Sequence, residues 1–143
     1  MDTSDQVRQF VESRNEHTVF KPLDIRIDSF DPEAVTVSMP VDERHHQHAG
    51  ILHGGLSVLL CESAASTAAA LTVDMAKFTV AGLEINANHL RRVSQGRVTA
   101  VATPIHRGKT THVYGVEVRD DEDRLVCVCR CTIAVRPLRP GFS

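Results

Sequence analysis

A chain of 143 residues, 42% hydrophobic and 24% charged, is long enough to bury a real core and has the composition of one globular domain. A net charge of −2 excludes a global basic field for nucleic acid or an anionic membrane, and five Phe, one Tyr and no Trp argue against base stacking or a carbohydrate platform. The start, MDTSDQVRQF, is polar and acidic with neither a basic nor an apolar signal region. The longest apolar stretch is interrupted by Ser57, Glu62, Ser63, Ser66 and Thr67, so a cytoplasmic protein without a membrane span is expected.

Residues 1–18 read as an N-terminal helical segment. Val7, Phe10 and Val11 fall at helical spacing between Ser4 and Glu16, with Thr3 or Ser4 as the cap. Asp24–Phe30 alternates apolar and polar as a half-buried strand does, Asp31-Pro32 breaks it, and Ala34–Met39 follows as the second arm of a hairpin. Residues 40–53 form a long loop rich in histidine, and a helix runs from about Gly54 to Thr72. Thr79–Leu90 is a strand with Ala81, Leu83, Ile85 and Ala87 on one face. Arg97–His106, Thr111–Arg119 and Arg124–Val135 follow with turn-like separators, which predicts a four-stranded antiparallel meander. Residues 136–143 read as an exposed tail. One long helix with an antiparallel sheet predicts an α+β fold, the sheet wrapped around the helix, in a single domain over 1–143.

The chemistry concentrates in Gln47–Leu71. A helix start leaves backbone N–H groups free and carries partial positive charge, and Gly55 has no side chain to obstruct approach to them. A carbonyl placed there would be polarised; the alternative is that Gly54-Gly55 only gives tight entry to a close-packed helix. On the helical wheel Val58, Leu60, Cys61, Ala64, Ala65, Ala68 and Leu71 make one apolar face. Glu62, Ser63, Ser66 and Thr67 share the opposite arc with Leu56, Leu59 and Ala70, a mixture that suits a surface covered by another subunit. Glu62 is either a solvated or salt-bridged side chain or a catalytic acid or base. Ser66, one turn on, can hydrogen-bond that carboxylate, a water or a substrate, or its own backbone. Gly55 and Glu62 are separated by roughly 10 Å along the axis. One reacting carbon can hardly reach both in the same chain, and two antiparallel helices across a two-fold axis solve this. An obligate homodimer with two shared sites is predicted.

Cys127, Cys129 and Cys131 alternate on a strand and so share a face. With Cys61 they read as small buried residues, since C-x-C-x-C spreads its sulfurs rather than forming a zinc knuckle, and no disulfide is expected in a cytosolic chain. His45, His46, His48 and His53 lack H-E-x-x-H spacing and read as solvent-exposed loop residues, with no metal site.

Several pieces occur together, in order and with little gapping over roughly residues 20–135. They are His53-Gly54-Gly55, Glu62, Ser66, the run from Gly82 to His89, Gly96-Arg97-Val98 and His106-Arg107-Gly108. In them the chain resembles the hotdog-fold acyl-CoA thioesterases, in the branch containing 4-hydroxybenzoyl-CoA thioesterase and the thioesterases of bacterial menaquinone and enterobactin biosynthesis. The resemblance implies a hotdog fold, with Glu62 attacking the thioester carbon or activating water for it and the Gly55 amide polarising the carbonyl. It assigns Gln47 and His53 to orienting the thioester and the water, and His89 to the neighbourhood of the acyl group. Coenzyme A carries phosphates that need cations and backbone donors. By position against the family, Arg91, Lys109, Thr110 and Arg139 fill that need. No cofactor is implied, coenzyme A being part of the substrate, and the family often pairs homodimers into homotetramers. The expected reaction is hydrolysis of an acyl-CoA, with an aromatic acyl group, or of the corresponding acyl-carrier-protein thioester. The alternatives are a non-catalytic acyl-binding or sensing module and a hotdog enoyl hydratase, whose Asp/His motif is not found.

Overall fold

Asp2, rather than Thr3 or Ser4, caps the first helix of the computed structural model, which describes residues 1–139: its carboxylate accepts the Asp5 N–H at 2.8 Å. This helix, α1, spans Thr3–Glu12 and stops short of the expected Glu16. A 3-10 turn at Asn15–His17 and a short helix α2, Phe20–Leu23, complete the N-terminal segment. Asp24 closes α2 in the left-handed conformation (φ 52°), which delays the first strand to Arg26.

The strands are β1 Arg26–Ser29, β2 Val35–Pro40, β3 Phe78–His89, β4 Arg97–Arg107, β5 Thr111–Arg119 and β6 Leu125–Pro137, with the long helix α3 at Gly54–Ala70 before β3. They form one antiparallel sheet in the order β1-β2-β4-β5-β6-β3. The expected hairpin of the first two strands is present. The expected four-strand meander is not: it covers β4 to β6 only, and β3 lies at the sheet edge against β6. Residues 90–96 carry the chain across the strand ends. The Leu90 and Arg91 N–H groups donate to Val126 O, and Leu52 N–H donates to Val93 O at 2.7 Å. Alternating apolar residues define strands but not their neighbours, and this crossing is set by contacts remote in sequence. β6 continues through Arg136 and Pro137, which the tail was expected to contain; Leu138 and Arg139 follow it, and residues 140–143 of that tail lie outside the described residues.

The inward face of β3 also differs from expectation. The β3–β6 register shifts between Gly82 and Glu84, so one extra residue inverts the alternation. Val80 packs on the core before the bulge and Ile85 and Ala87 after it, whereas Ala81 is exposed and Leu83 is 58% exposed.

α3 lies in the concave face of the sheet. Leu60, Cys61, Ala64, Ala65 and Ala68 are fully buried against Val37, Met39, Val98, Val116, Val118 and Ile133. The alanines let strands approach the helix closely, as close packing requires. Cys127, Cys129 and Cys131 all face this core, as their spacing predicts. Two details of the wheel change. Thr67 and Ala70 are buried, and Val58 moves to the open side with Glu62. Among the described residues no helix is long and apolar enough to cross a membrane.

Candidate active site

The loop before α3 is an ordered platform. Val41 N–H donates to Gly96 O, and Asp42 caps a 3-10 turn at Glu43–His45. A hydrogen bond from the Arg44 side chain holds the Asp42 carboxyl well below the usual carboxylate range. His45 is fully buried, contrary to the expectation of solvent-exposed histidines. Its Nδ1 accepts the Asp42 N–H at 3.1 Å and its Nε2 donates to Leu23 O at 2.9 Å, which assigns a neutral tautomer. His46 Nε2 donates to Ser94 O at 2.8 Å and ties the platform to the β3–β4 crossing. These histidines are structural, and among the described residues no group of three or more His, Cys, Asp or Glu could hold a metal ion. After His46, Gln47 N–H donates to Ile51 O and Gly50 N–H to Gln47 O, a tight reversal in which Gly50 takes φ +75°. The Gln47 side-chain oxygen accepts the Ala49 N–H.

His53 is the N-cap of α3. Its Nδ1 accepts the Gly55 N–H at 2.9 Å, so the amide expected to be open is engaged by its own cap. The Gly54 N–H makes no hydrogen bond among the described residues. Gly54 also meets His89 at the end of β3: a Cβ at Gly54 would sit 2.7 Å from His89 Nε2. Gln47, Gly54, Ser57, His89 and Arg91 line one cavity of about 390 Å³ at the helix start.

Gly55, Val58, Leu59, Glu62, Ser63 and Ser66 form a second feature, an open groove of about 430 Å³ along one face of α3. Glu62 is exposed in the single chain and its carboxylate lies over Gly82 of β3, where a Cβ would collide with Oε1. Neither Gly54 nor Gly82 was singled out as a contact residue from the sequence. A lone glycine inside a strand pattern, read as a bulge or a close backbone approach, is the signal that finds Gly82.

The third group is remote. Lys109 and Thr110 sit in the β4–β5 turn, where Thr110 O accepts the Val135 N–H and an Arg136 guanidinium N–H, and Arg139 follows β6. Thr110 lies level with Val135 and Val80, toward the Phe78 end of the sheet, while His89 pairs with Cys127 at the other end, about 26 Å away along β6 at 3.3 Å per residue. One chain therefore brings together Gln47, His89 and Arg91, and separately Gly55, Glu62 and Ser66, but not Lys109, Thr110 or Arg139 with either group.

The surrounding thiols are part of the core. Contacts with the Cys127 and Cys129 sulfurs, then burial, push the Cys61 thiol up. Burial, then the Glu62 and Glu84 carboxylates, push Cys131 up to about 12.

A hotdog arrangement with an exposed carboxylate on its central helix narrows the comparison with known proteins. The family model described as "Thioesterase superfamily" matches residues 49–127, more than half of the chain. The chain belongs to the thioesterase superfamily. It is 53% identical over 116 residues to a Pseudomonas aeruginosa protein named "Putative esterase PA1618", covering 81% of this chain and 80% of that one. It is 45% identical over 117 residues to the 1,4-dihydroxy-2-naphthoyl-CoA hydrolase of Listeria monocytogenes, covering 82% and 94%. A crystal structure of a mutant of thioesterase PA1618 from P. aeruginosa superposes with a TM-score of 0.86 at 46% identity, covering 91% of this chain and 94% of that one. The chain is a thioesterase-type hydrolase with the hotdog fold of this superfamily.

Proposed function

We propose that this thioesterase hydrolyses an aromatic acyl-CoA to the free acid and coenzyme A, with Glu62 as nucleophile or general base, in sites shared by two copies of the chain. The observation that carries the reading is the position of Glu62. Its carboxylate stands on the open face of α3, over Gly82, eight residues beyond a helix start with an unoccupied Gly54 N–H. The hydrolysis of the Listeria relative's named substrate, a naphthoyl-CoA, supports the aromatic class.

Two contacts support the shared site. Glu62 meets β3 at Gly82, and Gly54 meets β3 at His89. β3 is an edge strand of 12 residues, whose outer row of N–H and C=O groups invites another strand. Antiparallel pairing of β3 with its copy, the two-fold axis between Ile85 and Asn86, sets Gly82 of each strand opposite His89 of the other. Glu62 of the partner subunit then stands beside Gly54, which helix spacing forbids within one chain. The same pairing turns the Lys109 end of the partner subunit toward Arg91, so that cations from both copies flank the coenzyme A arm.

In this site the thioester carbonyl accepts the Gly54 N–H, with the Gly55 N–H joining when His53 turns away, and the helix start stabilises the oxyanion. Glu62 takes a proton from water as the water oxygen attacks the carbonyl carbon. Alternatively Glu62 attacks first, giving a mixed anhydride that water opens. The C–S bond breaks and the coenzyme A thiolate leaves and is protonated. Gln47 and Ser66 orient the water and the thioester. No step calls on a metal or redox group.

The test is Glu62→Gln assayed on benzoyl-, hydroxybenzoyl-, dihydroxynaphthoyl- and fatty acyl-CoA. Turnover should fall by about a hundredfold or more, with thioester binding retained. Wild-type turnover in this variant would overturn the mechanism, and binding without turnover by the unaltered protein would point to an acyl-sensing module.

A further inference from the structure

The groove that holds Glu62 continues into a second space. Ser66 lines both the groove and an apolar cavity of about 410 Å³ enclosed by α1, the C-terminal half of α3 and the first residues of β3. Val7, Phe10 and Val11 of α1 form its outer wall, facing Met75 and Val80. The cavity spans Ser66 to Ala70 on α3, so it reaches about 12 Å beyond Glu62 at 1.5 Å per residue.

α1 is attached unevenly. Val7 is buried and Ser4 Oγ donates to Phe30 O, but Phe10, one turn later, is 51% exposed at the cavity rim with the Arg14 guanidinium 4.3 Å from its ring centre. A half-exposed aromatic ring beside an apolar cavity loses the contacts that a second apolar surface would supply. The family model begins at residue 49, so α1 lies outside the segment that the model matches.

We infer that this cavity receives the acyl group of the thioester and that α1, through Phe10 and Val11, sets the size of acyl group accepted. The inference rests on Glu62 being the residue that meets the thioester carbon. With that carbon at Glu62, the acyl group runs past Ser66 into the apolar space and packs a flat face against Phe10. The subunit that supplies the carboxylate thus also supplies the acyl cavity, while the subunit that supplies the helix start holds the coenzyme A arm. A flat, bulky apolar acyl group is the class that fits.

Two measurements test this in the full chain. The first compares kcat/KM for benzoyl-CoA and 1,4-dihydroxy-2-naphthoyl-CoA in Val11→Phe, which fills the cavity, and Phe10→Ala, which widens it. Val11→Phe should lose about tenfold or more on the naphthoyl substrate and little on the benzoyl one, and Phe10→Ala should shift the ratio the other way. Ratios within twofold of the parent in both variants would overturn the inference. The second uses the absence of tryptophan: Phe10→Trp places a single reporter at the rim. Saturable quenching by 1-hydroxy-2-naphthoic acid, weakened by adding Val11→Phe, is expected, and unchanged emission would overturn the inference. Quenching without thioester hydrolysis by the parent would refute the thioesterase reading while leaving the α1 cavity in place.

Discussion

Gly82 and Glu62 are matched across the α3–β3 interface: the carboxylate occupies the space that any Cβ at Gly82 would fill. The bulge that interrupts β3 and the carboxylate on α3 are therefore one structural unit. Gly82→Ala should displace an exposed, flexible carboxylate rather than the core. The expected result is a loss of about tenfold or more in kcat with a small change in melting temperature. Adding it to Glu62→Gln should cause little further loss. A Gly82→Ala enzyme of parental kcat would show that the contact does not position Glu62.

The proposed shared site predicts complementation. Glu62→Gln removes the carboxylate, and Gly54→Val drives a side chain into the His89 ring at the helix start. Each variant alone should be nearly inactive. Mixed in equal amounts after subunit exchange, half of the dimers combine the two chains, and one of the two sites in each is intact. About a quarter of parental activity should return. No recovery after verified exchange would place the whole site in one chain.

His53 caps α3 through the Gly55 N–H. His53→Ala should cost about 1 kcal/mol of stability, readable as a shift in the denaturation midpoint. His53→Asn should recover most of it, because asparagine is a good N-cap. Equal midpoints for His53→Ala and the parent would show that the cap contributes nothing.

His112 is buried against Tyr114, whose hydroxyl lies 3.4 Å from Nδ1, and burial holds its imidazole below the ordinary value. The unfolded chain therefore binds a proton that the folded chain refuses, and stability from this group is complete above about 6.5 and lost as pH falls below it. His112→Gln should flatten the stability profile as pH falls below about 6.5. Parallel profiles for the two proteins would contradict this.

All four cysteines are buried, and Cys131 is pushed up to about 12. A thiol reagent should titrate essentially none of them in the folded protein at neutral pH and all four in denaturant. Rapid reaction of the folded protein would contradict the burial of these groups.

Local patterns carried much of this fold. Turn residues and alternation located β4, β5 and β6 within a residue or two, because a strand's inward side chains must repeat every second position. The cysteine run was legible for the same reason. The helix from Gly54 and the position of Glu62 on it were legible because helical spacing is local, and the seven-residue spacing from Gly55 to Glu62 predicts a second chain. Only the tertiary structure decided that β3 lies beside β6, since strand pairing depends on how residues 90–96 cross the sheet and are held by Leu52 and His46. It alone inverted the face of β3 at Gly82, buried His45 between Asp42 and Leu23, gave the Gly55 amide to His53, and separated Lys109 from Arg91. Each of these is a contact between residues far apart in sequence or a competition for one hydrogen bond, which no periodicity encodes. The sequence by itself determined which polar side chains the helix from Gly54 carries and at what spacing, because helical spacing is local; the packing of α3 against β3 decided where the Glu62 carboxylate stands.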